Sequence, residues 1–470
     1  DTKLPETTAR GGYDRTTAFS EENTVANQEA VEIEENQVET EEEQEEESTA
    51  SATSSEGNDV VEFAKKYLEA NQKAIENISE IVQNEKIDCD FKREKAYVFT
   101  AKETEVDKLK KEQRAVDKLE KDLCQYVNKI ELPMEIAGAI EFRSQAKLHP
   151  VKYGYGLAKC IVNNNSRIYE NSQVTDIKKS NGKYEIYVDK NKVTADYVVI
   201  ATRYPFIKIP GYYFLKMYQS TSYAIVADVK SELFDGMYIN YEVPNMSFRV
   251  IEDNGKKLLL AVGYDYKTGT EELKNGYTRL ETAVRKMYPD AEVLYKWSAE
   301  DCISLDKIPY IGDFSVTMPN VYVATGFNKW GITSSNVAAN IIADKILGKE
   351  NEYEDLFKAR RVEPIKNRVE VGNMLKEANK SILMSRFKIP KDEIDDIKIG
   401  EGKIIEIDNK KVGVYKANTG EIFKVKPICT HLGCELYFNN IDKTWECPCH
   451  GSKFSYDGKS IEVPSNKNLE

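Results

Sequence analysis

No run of eighteen apolar residues occurs in this 470-residue chain, which excludes a helix that crosses a bilayer. The opening Asp1-Thr2-Lys3 is not followed by an apolar leader, so no secretion signal is expected. Histidine is scarce, with three residues in all, and there are only eight cysteines. Four of these, Cys89, Cys124, Cys160 and Cys302, are scattered in a way that suits no secreted disulfide framework, and cytoplasmic residence is the expectation. No Lys/Arg stripe is present, so no nucleic-acid partner is expected. Charge of one sign is also missing from most of the chain. The first 59 residues hold 18 Asp and Glu against Lys3, Arg10 and Arg15, a balance of −15, so of the total of −13 the rest carries +2.

What is present concentrates at the C-terminal end. Cys429-Thr430-His431-Leu432-Gly433-Cys434 is followed by Cys447-Pro448-Cys449-His450-Gly451-Ser452, which places two of the three histidines and four of the eight cysteines in one short region. Two Cys and two His satisfy either tetrahedral zinc or a Rieske-type [2Fe–2S] centre, in which two thiolates bind one iron and two imidazoles the other. Zinc fingers usually put two Cys on one arm and two His on the other. Here each arm carries one of each, which favours the [2Fe–2S] centre, with Cys429, His431, Cys447 and His450 as candidate ligands.

The box resembles the Rieske proteins of the cytochrome bc type. That resemblance implies a disulfide between Cys434 and Cys449 that ties the two loops. It also implies a hydroxyl donor at Ser452 and a Tyr at position 454, where this chain has Phe454. With one donor absent, the reduction potential is expected below the top of the range of about −150 to +300 mV for such centres. Pro464 either shields the cluster or makes a turn. Unlike cytochrome bc subunits, the chain is expected to carry no membrane anchor segment.

Residues 1–59 read as a disordered acidic tail, solvated or serving as an interaction arm. Order is expected from Asp59, which caps a helix with Glu62 three residues on; Val60, Phe63, Tyr67, Ala70, Ala74, Ile78 and Ile81 keep its apolar period. A second helix is predicted over 103–124, a strand at 96–100, a short helix at 153–161, and a hairpin about Asn181-Gly182. His149 is either a substrate contact or a satisfied loop residue. Alternation over 211–265, with Asp253-Asn254-Gly255, predicts an antiparallel sheet. A helix over 271–288, strands at 293–297 and 321–325 and a helix to Leu347 follow. Residues 349–386 read as a charged helical linker, and 387–470 as a small all-β domain.

Val323-Ala324-Thr325-Gly326 through Gly331-Ile332-Thr333 is a strand, a glycine turn and a helix start, which suits the close approach of a cofactor. With Asp196-Tyr197 to Thr202 and Asp301 to Gly312, it makes residues 60–348 resemble the D-amino-acid-oxidase-like FAD oxidoreductases that carry a C-terminal Rieske domain. The resemblance implies an α/β FAD-binding domain with an antiparallel substrate sheet, and flavin contacts at Ala201, Thr202, Gly326, Trp330, Gly331, Ile332 and Thr333. After Thr202, Arg203 stands where many flavoproteins have Gly. The family's opening G-x-G-x-x-G is absent, so the FAD-binding domain is incomplete and FAD is expected to be held weakly or not at all. Two functions follow. One is a flavin-linked oxidoreductase acting on a small molecule such as an amine or amino acid, its electrons passing through the cluster to a redox partner protein. The other is a Rieske electron-transfer protein with a degenerate flavin domain.

Overall fold

A computed structural model describes residues 53–188, 190–207, 209–270, 275–361 and 393–470, with the backbone alone for 53–59. The first helix, α1 (Thr53–Asn84), buries Ala64, Tyr67, Leu68, Ala74, Ile75 and Ile78 on one stripe at helical spacing. It starts six residues before Asp59, so Asp59 lies inside the helix and is not its cap. The strand β1 (Lys92–Thr100) leads to α2 (Val106–Leu119). That helix stops short of residue 124: Asp122 takes a left-handed φ of 66°, and Cys124 opens β2 (Cys124–Val127).

After β3 (Gly138–Lys147), α3 (Pro150–Asn163) begins with Pro at its first turn, where the missing N–H costs nothing. His149 is the residue that caps it, its Nδ1 accepting from the Lys152 N–H at 3.4 Å. The meander β4 (Val174–Ser180), β5 (Lys183–Val188) and β6 (Asn191–Ala195) turns at Asn181-Gly182 as expected. Next come β7 (Val198–Ile200), β8 (Met217–Asp228), β9 (Met237–Asn240), β10 (Met246–Asp253) and β11 (Lys256–Lys267). Helix α4 (Gly276–Met287), β12 (Glu292–Ser304), β13 (Tyr310–Ser315), β14 (Met318–Thr325) and α5 (Gly331–Ile346) complete the body.

Eight strands form one sheet in the order β12-β8-β11-β10-β9-β1-β3-β2. All its pairs are antiparallel except β1 with β9. The interior strands β8 and β11 do not show the expected alternation: both faces are buried over Gln219–Ala227 and Leu258–Gly263. A smaller sheet, β13-β14-β7, pairs β14 parallel to β7 and antiparallel to β13, and β14 leads through Gly326 to the start of α5. Helix α5 packs against it, and α1 packs on α5, in a core around Ala324, Val337 and Ile341.

Residues 349–361 are turns and not helix. Leu356, Phe357 and Ala359 are buried in the body, and Arg361 grips Asp306 and the carbonyls of Ile308 and Pro309. The body therefore runs to Arg361, and the rest of the expected linker lies outside the described residues. The C-terminal domain is all β as expected. It contains β15 (Gly402–Ile407), β16 (Lys410–Lys416) and β17 (Ile422–Val425), then β18 (Tyr437–Asn439), β19 (Thr444–Glu446), β20 (Lys453–Ser455) and β21 (Ser460–Glu462). Its core closes on the fully buried Trp445 and Phe454.

Candidate functional site

The two cysteine–histidine segments fold into matching loops. In the first, the Cys429 N–H bonds the Cys434 carbonyl at 2.8 Å, and the Gly433 N–H returns to the Cys429 carbonyl at 3.0 Å. In the second, Cys447 bonds Ser452 and Gly451 returns to Cys447, both at 2.9 Å. Gly433 and Gly451 have φ of 79° and 74°, left-handed values that favour glycine. Cys434 and Cys449 are joined in a disulfide that ties the loops together.

This arrangement brings the four candidate ligands into one buried pocket. The His431 and His450 rings stand edge to face with centroids 5.0 Å apart, 6% and 7% exposed. The Cys429 and Cys447 thiols are buried beside each other. The neighbouring Cys447 thiol holds the Cys429 thiol down to about 7 against burial, helped by the His431 N–H, the Ser452 hydroxyl and the Leu432 N–H. Cys447 is pushed the other way, well above the usual thiol range, by Cys429 and by burial. Three sulfurs, of Cys434, Cys447 and Cys449, lie within 4.8 Å of one another, but the disulfide consumes two of them. The remaining donors are two adjacent sulfurs, one thiol already poised toward thiolate, and two imidazoles with N–H and O–H groups aimed at sulfur. They fit a [2Fe–2S] centre of the Rieske kind. Ser452 is fully buried, and its Oγ accepts from the Ser465 N–H at 3.1 Å, which turns its proton away from that bond. Phe454 is buried and brings no hydroxyl. Pro464 is buried next to that Ser465 contact.

The residues expected at a flavin separate into two groups. Gly326 has φ +70°, and a Cβ there would meet Met217 Sδ at 3.1 Å and Tyr310 at 3.3 Å. Trp330 precedes α5, no side chain caps that helix, and the Thr333 Oγ1 is buried without a hydrogen-bond partner. An uncapped helix start beside an orphaned hydroxyl suits a cofactor's polar edge. Ile332 shares that first turn with Gly331. Ala201 and Thr202 follow β7 and are exposed. Arg203 explains why Gly is common there: its φ is +60°. Its guanidinium reaches the Glu300 carbonyl at 2.7 Å and the Glu462 carboxylate.

A cavity of about 540 Å³ opens beside Asn328, Lys329 and Trp330. The Lys329 ammonium bonds the Ser222 hydroxyl at 2.6 Å and faces Asp265 at 3.4 Å. Tyr218, Ser220 and Ser222 of β8 line the cavity. The residue between them, Gln219, points the other way and donates to the carbonyls of His450 at 2.9 Å and Val463 at 2.7 Å. One strand thus carries the cavity on one face and a cluster loop on the other. The expected stretches held Lys329 but missed this strand, the glycine at 269 and the ionic seam between the domains. In that seam the Lys453 ammonium, 5% exposed, pairs with Glu300, with Glu446 at 3.4 Å and with Asp442 at 4.0 Å. Gly269, at φ +79°, sits so close to the Cys447–Pro448 backbone that a Cβ would fall within 2.5 Å of it.

Residues 27–345 match the family model of the FAD dependent oxidoreductases (DAO), and residues 388–470 that of the Rieske [2Fe-2S] domain. YhfW of Bacillus subtilis, whose name assigns it provisionally as a Rieske 2Fe-2S iron–sulfur protein, is 35% identical over 410 residues, covering 87% of this chain and 80% of its own. The cytochrome b6-f complex iron–sulfur subunit of Chlorobaculum tepidum is 41% identical over 69 residues, 15% of this chain and 38% of that subunit. Among solved structures, glycine oxidase from Geobacillus kaustophilus superposes with a TM-score of 0.55 at 18% identity, over 64% of this chain and 84% of that one. Nothing in these matches favours a flavin domain that has ceased to bind its cofactor. Among the described residues no helix is long and apolar enough to cross a membrane.

Proposed function

Because the chain belongs to the FAD-dependent oxidoreductases and carries a Rieske [2Fe–2S] domain, we propose that it oxidises a small amine or amino acid and passes the electrons to its iron–sulfur centre. One observation carries this reading. The cavity and the cluster loops share strand β8, Ser220 facing the first and Gln219 bonded to the second. When bound, FAD takes a hydride from a substrate and the cluster carries single electrons.

The residues of the chain then have definite tasks. Cys429 and Cys447 hold one iron, His431 and His450 the other, and the disulfide keeps the two loops in register. Gly326, Trp330, Gly331, Ile332 and Thr333 receive the flavin, with Ala201 and Thr202 alongside. Tyr218, Ser222, Arg249 and Lys329 line the substrate cavity together with Glu242 and Asp265, a mixed-charge wall that suits an amine or a zwitterion. The Ser222 and Asp265 contacts fix the Lys329 ammonium at the cavity face of β8. A redox partner protein meets the exposed tip at Leu432, and the unpaired, scattered thiols of Cys89, Cys124, Cys160 and Cys302 favour cytoplasmic residence.

The test is made on the full chain, purified with its cluster and supplied with FAD. Stoichiometric flavin, and cluster reduction on mixing with an amine or amino acid, are expected. A chain that binds no FAD yet still cycles its cluster with an external reductant would overturn the oxidoreductase reading in favour of a bare electron carrier. That alternative rests only on the missing G-x-G-x-x-G.

A further inference from the structure

One short segment of the body touches both the cluster loops and the turn proposed to receive the flavin. It runs from Phe214, just before β8, to Gln219. The Phe214 ring stands edge to face on the His450 imidazole, with centroids 5.9 Å apart and planes at 84°. Aromatic pairs attract at that spacing and angle. At the other end, the Gln219 amide donates to the His450 carbonyl at 2.9 Å and to the Val463 carbonyl at 2.7 Å. Between the two, Met217 Sδ lies 3.7 Å from the Thr325 hydroxyl and 3.1 Å from where a Cβ on Gly326 would fall.

Gln219 is built into its place. It is 1% exposed, and its backbone carbonyl accepts from the Thr268 N–H at 2.9 Å. Gly451 makes room for its stem, since a Cβ there would come within 2.5 Å of the Gln219 Cβ. Both partners of the amide are carbonyls, which only accept. The Nε2 must therefore face them, and the buried Oε1 is left without a partner. An unpaired oxygen at that depth is a cost, which two bonds into the cluster domain offset. Those bonds hold two points around the cluster at once. One is the backbone of His450; the other leads from Val463 to Ser465, whose N–H donates to the Ser452 hydroxyl at 3.1 Å.

Resting on the assignment of Cys429, His431, Cys447 and His450 as ligands, we infer that Gln219 and Phe214 are positioning residues for His450. The amide fixes the backbone that carries the imidazole, and the phenyl ring braces the imidazole and keeps water from it. The body of the protein, and not the cluster domain alone, thereby sets this ligand in register with Thr325 and Gly326. Groups that hold a metal ligand govern how firmly the metal is bound, and an apolar neighbour that limits solvent access governs its potential.

The experiment takes the full, cluster-loaded chain and reads the reduced cluster by EPR and its midpoint by mediator titration, so no flavin turnover is needed. Gln219→Met keeps the bulk of the stem and removes both donors. It is expected to shift the g-values and to speed the loss of iron to a chelator about tenfold. Phe214→Ala opens the imidazole to water, which favours the form that carries the added negative charge, so its midpoint is expected above the wild-type value. Phe214→Tyr, which keeps the ring, is expected to match the wild type. A residue needed only for folding would move neither g-values nor midpoint in the chains that load. Unchanged g-values in loaded Gln219→Met, or an unmoved or lowered midpoint in Phe214→Ala, overturns the proposal for that residue. Loss of the cluster in all three variants overturns it for both, which are then folding residues only. A wild-type chain without a Rieske spectrum instead overturns the ligand assignment on which the proposal rests.

Discussion

Replacing Lys453 by Met removes one ammonium from a pocket that holds three carboxylates. The Lys453, Glu300 and Glu446 side chains are 5%, 5% and 3% exposed, so none of these charges can turn to water when its partner is lost. Met keeps most of the stem's volume, so the change isolates the charge. Breaking a buried pair by removing one partner costs about 3–5 kcal/mol. Here Glu300 keeps only Arg203, at 3.8 Å, which puts the expectation inside that range. In the native protein, burial pushes the Glu300 carboxyl up, while Lys453 and Arg203 overcome it and hold it below 4.5. Burial likewise works against the Lys453 ammonium, and Glu300, Glu446 and Asp442 raise its pKa well above 10.5. The native network therefore stabilises fully between those two values. The Glu300 part is lost as pH falls through its depressed pKa, and the Lys453 part as pH rises through its elevated one. In Lys453→Met the Glu300 carboxyl has lost its main counter-charge and burial raises its pKa, so protonation relieves it. The destabilisation is then largest at pH 7–8 and shrinks toward pH 5. Urea unfolding followed by the cluster's visible circular dichroism, at four pH values, measures both effects. Lys453→Met/Glu300→Leu should recover much of the loss, since apolar replacement of a whole buried pair is often neutral. A loss under about 1 kcal/mol with no pH trend would mean that the seam is solvated, and the reasoning fails.

Ala at Cys429, His431, Cys447 or His450 should abolish the iron, the acid-labile sulfide and the rhombic EPR signal; stoichiometric zinc in anaerobically matured wild-type protein would contradict the ligand set. Phe454→Tyr should raise the midpoint in a mediator titration, and an unchanged or lower value would place residue 454 out of reach of the cluster sulfurs. Cys434→Ser should leave assembly intact but cost about 2–4 kcal/mol of resistance to unfolding of the cluster domain, read as faster bleaching in urea. Gly269→Ala puts a methyl into the Cys447–Pro448 backbone at a left-handed φ, so it should loosen the cluster domain, read as faster bleaching of the cluster in urea, without changing the spectrum of the intact cluster.

The cluster loops were legible because their chemistry is local. Every donor lies within a few residues of another, and Cys and His are rare elsewhere in this chain. The strand, glycine and helix start at 318–331 were legible for a similar reason, as an apolar strand followed at once by a glycine in the left-handed region. The seam was not. Arg203 and Glu462 are 259 residues apart, and Gln219 and His450 are 231 apart, so no window on the sequence connects them. Charged residues in alternating strands such as Lys453 and Glu300 read as a solvated face, and only the packing of one domain on the other buries them. The start of α1 was misjudged because its first turn is polar and adjoins the acidic run, which hides a helix from an apolar-period search. The turns at 349–361 were misread as helix because charge was frequent there. Leu356 and Phe357 are what bind that stretch to the body.

Arg203 joins these threads. A non-glycine residue at φ +60° carries a backbone cost of about 1–3 kcal/mol, and glycine would avoid it. The guanidinium offsets that cost by bonding the Glu300 carbonyl on β12 and the Glu462 carboxylate on β21, one in each domain. Its backbone carbonyl is held by Thr325, at the end of the strand that leads into Gly326. Any motion that swung the cluster domain away would break the Arg203 pair, expose Lys453 with its three carboxylates, and unseat Gly269 from the Cys447 loop. These contacts bridge the same two domains, so one motion breaks them together. A cluster domain docked in this way sits at a fixed position beside β8. The spacing between cavity and cluster is then set by the fold itself and not by a tether.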